Sequence, residues 1–214
     1  FASAHAALGY AHYVGCMWGF ATDLPAAART ALASASHAAA LDGRDAFARS
    51  VNARALMLVG NVQAAIAEAT AAVELNVNLA AAHYALGFAL AVGGRGDDAL
   101  AAVDRAIRLS PYDPLMHAFL TLRSAILIVL GRHEDGLATA LDAQRQPSCT
   151  AWGWLQAAAA LANLGRLEEA RASVARAREM KPDASMGWVR ALFASGDRNS
   201  LKRFLDGLER AGLE

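Results

Sequence analysis

The chain has 214 residues, and its 20 Lys and Arg balance 20 Asp and Glu without a long block of either sign, which argues against nucleic-acid binding by this segment. Two distant cysteines, Cys16 and Cys149, indicate no disulfide framework and favour a reducing, cytoplasmic compartment. No apolar run reaches the roughly 18 to 20 residues that a membrane-spanning helix needs, so we expect no insertion into a membrane.

The N-terminal region predicts two helices separated by an irregular insertion. About a quarter of all residues are alanine, which favours closely packed helices. We predict a helix from Phe1 to Val14, an interruption over residues 15–23, and a second helix from Pro25 to Leu41 that Asp23 or Thr22 caps. Because the chain opens on Phe1 and has no signal peptide, we expect it to be a fragment of a longer protein.

The insertion carries two large aromatic residues, Trp18 and Phe20. We expect them to form a hydrophobic plug over the end of the helical stack. The alternative is a docking loop directed towards a preceding part of the protein.

The rest of the chain shows an internal repeat. The glycines Gly60, Gly94, Gly131 and Gly165 each end an apolar segment at steps of 34, 37 and 34 residues, and small residues recur in register after them. A helix–turn–helix unit of 34 residues is the pattern of the tetratricopeptide repeat (TPR). We therefore predict an all-α fold, a right-handed TPR superhelix (α-solenoid) of about five to six helix pairs in one domain. Its predicted units are 1–45, 46–79, 80–113, 114–150, 151–183 and a terminal pair at 184–214.

Within these units several helices have defined predicted bounds. They are Leu115 to Leu130, His133 to Gln146, Ala184 to Ala194 and Arg198 to Arg210. The last helix carries more charge than the others, and we expect it to cover the end of the stack with one face in water. Acidic pairs at Asp97–Asp98 and Glu168–Glu169 mark helix starts, where the helix dipole favours carboxylates.

In TPR proteins the first helix of each unit lines a concave groove. The residues predicted to face it bind protein or peptide, and they are Tyr10, Tyr13, Arg54, Met57, Tyr84, Phe88, Thr121, Ile128, Trp152 and Leu155. Such an aromatic, mostly uncharged groove suits an amphipathic helix or an extended apolar peptide. The alternative is that several of these side chains only pack against the neighbouring unit. With Arg54 as its one basic residue, the groove does not match the TPRs that clasp chaperone carboxyl termini.

Other clusters predict no chemistry. His5, His12 and Cys16 share one helical face, as a metal site would require, but no fourth ligand is evident and packing is the preferred interpretation. The glycine-rich stretch 93–98 lacks the Lys-Ser/Thr ending and the preceding strand of a phosphate-binding loop, so it is a helix–helix turn. We therefore predict no catalytic, metal or cofactor-binding residue and no enzymatic activity.

Three stretches suggest a wider context. The segment Leu109–Pro114, the long following helix to Gly131–Glu134, and the tail Phe204–Glu214 resemble the C-terminal TPR region of bacterial class III adenylate/guanylate cyclase-like proteins. Similar regions follow winged-helix regulators. The resemblance implies a cytoplasmic regulatory or scaffolding module behind a catalytic or DNA-binding domain, and it transfers no catalytic residue.

Three functional hypotheses follow. The first is a non-catalytic protein-interaction module that binds a protein or peptide in the groove. The second is a homodimerisation module that pairs N-terminal domains, because class III cyclase domains need such pairing. The third is a sensor of a small ligand or peptide inside the superhelix.

Overall fold

The structure is a computed structural model that describes residues 1–194 and 198–214, with the backbone alone for 198–200. Across these residues the regular structure is twelve α-helices with no β-strand, which confirms the all-helical prediction. No helix among them is both long and apolar enough to cross a bilayer. The helices are α1 Ala2–Met17, α2 Leu24–Leu41, α3 Ala46–Leu58, α4 Val62–Leu75, α5 Ala80–Val92, α6 Gly96–Leu109, α7 Met116–Val129, α8 His133–Gln144, α9 Ala151–Asn163, α10 Leu167–Met180, α11 Met186–Leu192 and α12 Arg198–Arg210.

The repeating glycines end four helices in the same way. Gly60, Gly94, Gly131 and Gly165 all have φ between 79° and 84°, a conformation that L side chains rarely adopt. In each case the following N–H donates back to a carbonyl five residues earlier, as from Arg95 to Leu90 at 2.9 Å and from Arg166 to Leu161 at 2.9 Å. This is the Schellman ending of a helix, and it explains why the glycine spacing follows the repeat.

The small residues that recur after each glycine lie in the helix interfaces. Ala65, Ala99 and Ala170 are fully buried. At the closest approach of α5 to α6, a Cβ on Gly87 would lie 2.5 Å from Val103 Cγ2 and 3.1 Å from the Ala99 carbonyl. Small side chains therefore let the two helices of a pair approach closely.

The chain forms two compact units. Unit 1 comprises Phe1–Leu109 and a short stretch that starts at Leu192; unit 2 comprises Ser110–Ala191 and the last residues of the chain, through Glu214. In unit 1 the pairs are α1–α2, α3–α4 and α5–α6, and the first helices α1, α3 and α5 also contact one another in order. In unit 2 the pairs are α7–α8 and α9–α10, and α7 contacts α9. We call the surface formed by α1, α3 and α5, or by α7 and α9, the first-helix face of its unit.

Helix α12 lies against α7 and α9, so it covers the first-helix face of unit 2. Its apolar residues Leu201, Phe204 and Leu208 are buried. A Cβ on Gly207 would lie 2.7 Å from the Ala159 carbonyl, so α12 comes into backbone contact with α9. The predicted amphipathic terminal helix is confirmed, and its partner surface is the first-helix face.

The first helix is longer than predicted. It continues through Gly15 and Cys16 to Met17, where we predicted an end at Val14. Cys16 is fully buried, and its packing offsets the weak helix propensity of Gly15. The stop signal is Gly19 at φ 74°, after which the Phe20 N–H donates to the Gly15 carbonyl at 2.8 Å.

Two further predictions near helix ends differ from the structure in opposite ways. The plug formed by the insertion is wrong for Phe20, whose side chain is 74% exposed and contacts the Trp18 ring. The cap of α2 is confirmed, since Asp23 accepts a hydrogen bond from the Ala26 N–H at 2.9 Å. Helix α11 is shorter than the predicted 184–194, with Met186 as its first residue and Leu192 as its last.

Candidate functional site

Four predicted groove residues of unit 1 meet in one cluster. The guanidinium carbon of Arg54, on α3, lies 5.3 Å from the Tyr10 ring centre, 5.9 Å from that of Tyr13 and 4.9 Å from that of Tyr84. Two of these rings come from α1 and the third from α5, so the cluster needs all three first helices. We call these residues the tyrosine–arginine cluster.

Burial is uneven across this cluster. Arg54 and Tyr13 are each 4% exposed, whereas Tyr10 and Tyr84 are half-buried and reach the surface. Burial raises the pKa of the Tyr13 and Tyr84 hydroxyls, and the nearby Arg54 charge opposes that rise. The two phenols are therefore neutral donors at physiological pH, held around a buried cation.

The remaining predicted groove residues of unit 1 belong to its core. Met57 is 5% exposed. Phe88 is also buried, and its ring packs against Phe193, a residue of the stretch that completes unit 1, with ring centres 6.3 Å apart. Both side chains support the face from below, so the surface residues of the cluster are Tyr10 and Tyr84.

Unit 2 holds a second cluster of aromatic rings around a cation. Trp152, at the start of α9, lies 4.7 Å from the Trp188 ring of α11, and Lys181 Nζ lies 4.8 Å from that same Trp188 ring. Lys181 is 8% exposed and forms an ion pair of 2.7 Å with Asp183. We call Trp152, Lys181 and Trp188 the tryptophan–lysine cluster, and its cation has its own carboxylate.

Polar contacts fix α12 on the first-helix face of unit 2. Arg203 Nη1 donates to the Val129 carbonyl at 2.9 Å, and Asn163 Nδ2 donates to the Arg203 carbonyl at 3.0 Å. Arg210 Nη2 donates to Asn163 Oδ1 at 2.6 Å. A helix of this chain therefore occupies the surface where we predicted a groove.

The other predicted groove residues of unit 2 are core residues. Thr121 is buried and its hydroxyl donates to the Ala118 carbonyl within α7. Ile128 is fully buried beside Gly136 of α8, where a Cβ would lie 2.9 Å from Ile128 Cγ1, so it faces its pair helix. Leu155 is fully buried as well. These three side chains pack between helices, which was the alternative interpretation of the pattern.

The structure gives no chemical role to the other clusters. Among the described residues no group of three or more His, Cys, Asp or Glu side chains could hold a metal ion. The His5 ring packs edge-on against His37 at 4.4 Å, and Cys16 is fully buried. In the glycine-rich turn, Arg95 forms an ion pair with Asp98 at 2.7 Å.

One open cleft lies between the end of α1 and the start of α2. It has a volume of about 370 Å³, and His12, Phe20 and Asp23 are among its lining residues. The lining is otherwise small or backbone, and Asp23 is already occupied as the helix cap. The cleft therefore offers fewer binding groups than the tyrosine–arginine cluster.

Solved structures place this arrangement of helices among known folds. TTC0263, a thermophilic TPR protein of Thermus thermophilus, is 21% identical with a TM-score of 0.70 over 91% of this chain and 98% of that one. The chain has a TPR fold. YrrB, a TPR protein, is 21% identical with a TM-score of 0.54 over 83% of this chain and 90% of that one. PilF of Pseudomonas aeruginosa is 14% identical with a TM-score of 0.64 over 95% and 88%. No protein-family model and no curated protein matches the sequence.

Sequence reasoning missed the residues that complete unit 2 within this TPR fold. Lys181 and Trp188 join Trp152, yet they lie in the link between α10 and α11 and in α11 itself, outside the first helices of complete units. The amphipathic pattern of α12 was a usable signal, because Leu201, Phe204 and Leu208 lie on one helical face. It indicated a buried face without indicating which surface buries it.

Proposed function

We propose that the chain is a non-catalytic protein-interaction module that binds a peptide segment of a partner on the first-helix face of unit 1. The observation that carries the proposal is the contrast with unit 2, whose equivalent face is covered by the chain's own helix α12. All six helices of unit 1 belong to its three pairs, so the described part of that unit supplies no seventh helix to cover the face.

The chemistry of the tyrosine–arginine cluster supports this proposal. Tyrosine and arginine are enriched among the residues that carry most of the energy in protein interfaces. Tyr10 and Tyr84 present ring surface at the edge of the cluster, and the rigid first helices hold their positions. An amphipathic helix in a groove is a common recognition mode, and α12 in unit 2 has this form. YrrB is itself described as having an unusual peptide-binding site.

The test is affinity selection from a soluble library of random 12-residue peptides, followed by titration of a selected peptide. We expect Tyr84→Ala to weaken binding roughly 10-fold or more, because it removes a half-buried ring at the centre of the face. Tyr112→Ala is the matched control, since Tyr112 is 96% exposed and lies in unit 2. Failure to select any peptide, or equal affinity in the two variants, would contradict the proposal.

We propose further that the module is the cytoplasmic, C-terminal regulatory part of a larger bacterial signalling protein of the cyclase-like type. The tail Phe204–Glu214 and the segment Leu109–Pro114 support this through their resemblance to such proteins. The reading frame upstream of Phe1 tests it, and an upstream segment without a cyclase or winged-helix domain would contradict it.

Homodimerisation is a second candidate function, and an exposed apolar strip in unit 1 favours it. Leu41, Leu75 and Val77 are 52%, 42% and 56% exposed, and Leu41 and Leu75 each end the second helix of a pair. Light scattering over a concentration series tests this candidate. A strict monomer at high concentration, with Leu75→Ser unchanged from wild type, would exclude it.

A further inference from the structure

Arg54 is a buried cation that lacks a counter-ion. Its side chain is 4% exposed, and no carboxylate of the described residues lies within ion-pair distance of it. Burial of an ionised group is costly unless a partner compensates it, and arginine is seldom fully buried without one. The charge therefore indicates a missing partner.

Hydrogen bonding around Arg54 is also incomplete. Nη2 donates to the Ala81 carbonyl at 2.8 Å, and this is the one hydrogen bond that the described residues supply to the guanidinium. Its Nε is buried without an acceptor, and so is the Tyr13 hydroxyl without a partner of good geometry. Tyrosine rings stabilise a guanidinium from within about 6 Å by their π faces, but they do not accept its edge N–H bonds. The cluster thus holds a positive charge and donors that need oxygen acceptors.

We infer that Arg54 and its ring of tyrosines bind a carboxylate group of the peptide. A carboxylate supplies a negative charge and two acceptor oxygens in the fork that matches a guanidinium. A phosphate fits less well, because phosphopeptide sites use clusters of arginine and this cluster has one. This inference rests on the proposed function, since it names the chemical group that the peptide-binding face recognises.

Other cations in the chain behave differently from Arg54. Arg49, on the same helix, has an ion pair of 3.1 Å with Glu68. In unit 2 the buried Lys181 has Asp183 at 2.7 Å. A purely structural Arg54 would be expected to have a similar internal partner, whereas a binding residue needs its partner to come from outside.

The experiment uses two forms of the same soluble 12-residue peptide library, one with free carboxyl termini and one amidated. Wild-type protein selects from each, and the selected peptides are then resynthesised with Glu→Gln or Asp→Asn at each acidic position. We expect every tight peptide to depend on one carboxylate, with affinity about 10- to 100-fold lower when it is neutralised, the range for a charged hydrogen bond. Loss on amidation identifies the terminal carboxylate, and loss on Glu→Gln identifies a side chain.

Protein variants give the complementary arm of the experiment. Arg54→Gln should abolish the preference for the acidic form of the peptide, and Arg54→Lys should retain part of it. Arg49→Gln is the matched control on the same helix and should keep the full preference. The peptide exchanges use wild-type protein, so an unfolded variant cannot hide the answer.

The outcomes separate the two proposals. Selection of peptides that bind equally well in acidic and neutral forms would overturn the carboxylate site and leave the peptide-binding function standing. The same holds if Arg54→Gln, folded by circular dichroism, keeps the acidic preference. Failure of wild-type protein to select any peptide would overturn both.

Discussion

The two first-helix faces of this TPR fold are built alike and completed differently. Six residues before the turn glycines, unit 1 places Arg54 on α3 and Phe88 on α5, and unit 2 places Ala159 on α9. The small Ala159 lets Gly207 of α12 come into backbone contact. The comparison teaches that one repeat position decides whether the face receives the chain's own helix or keeps large side chains for another occupant.

Charge follows the same division. Lys181 in unit 2 is neutralised by Asp183, whereas Arg54 in unit 1 has tyrosine rings and a backbone carbonyl around it. Unit 2 is thus satisfied internally, and unit 1 is not. Each prediction below perturbs one side of this comparison, in order of decreasing expected effect.

The largest effect should come from removing the anchor of α12. Phe204 is 2% exposed, so Phe204→Ala should lower the free energy of unfolding by about 3 kcal/mol or more, through lost burial and a cavity. Denaturant unfolding measures the change. Phe20→Ala removes a 74% exposed ring and should change the value by less than about 0.5 kcal/mol. Equal effects of the two substitutions would mean that α12 does not stabilise unit 2.

A smaller loss should follow from blocking the close contact of α12 with α9. Gly207→Ala would place a Cβ 2.7 Å from the Ala159 carbonyl and 3.0 Å from its Cα, and backbone atoms yield little, so we expect a cost of about 1–3 kcal/mol. Gly187→Ala is the matched control, because its Cβ would meet nothing closer than 3.7 Å. Comparable melting temperatures for the two variants would contradict the contact.

Acidic pH should weaken unit 2. Burial lowers the pKa of His117 from its ordinary 6.5, and burial with Arg203 and Arg210 lowers that of His133. The unfolded chain then binds more protons than the folded one below about pH 6.5, so stability is full above that pH and falls as the pH drops through the folded pKa values. His117→Gln should reduce the slope of unfolding free energy between pH 7 and 5, about 1.4 kcal/mol for each unit of pKa shift. An unchanged slope would contradict the burial of a neutral His117.

Alkaline pH should instead weaken unit 1, with the smallest effect near neutrality. The raised pKa values of Tyr13 and Tyr84 mean that the unfolded chain loses protons first, so stability is full below about pH 10 and falls as the pH rises above it. Tyr13→Phe should reduce that fall and change stability at pH 7 by less than about 1 kcal/mol, because its buried hydroxyl lacks a well-placed partner. Tyrosinate absorbance, measured against unfolding, checks the titration. A full alkaline loss in the Phe variant would contradict it.

The repeat was predictable because its signals are local. Gly60, Gly94 and their equivalents are needed for a positive φ at each helix end, and the alanines after them are needed at each close approach. The end of α1 was misplaced because Gly15 and Gly19 are both helix breakers, and only packing at Cys16 decides between them. Local chemistry therefore predicted the pairs better than their exact limits.

The site was less predictable because it depends on distant parts of the chain. The repeat pattern indicated Tyr10, Arg54 and Tyr84, but their meeting requires three helices to pack in order. The same pattern selected Ile128, which packs towards α8 instead. Its one-position tolerance is too coarse to separate a side chain on the face from one beneath it. The organisation of residues 1–214 as one solenoid stays a prediction.

Amide hydrogen exchange of the wild-type protein, with and without a selected acidic peptide, tests the central claim most directly. If the open face of unit 1 binds the peptide, exchange should slow in α1, α3 and α5, and α7, α9 and α12 should be unchanged. Protection confined to α7 and α9, or faster exchange in α12 as the peptide displaces it, would contradict the claim.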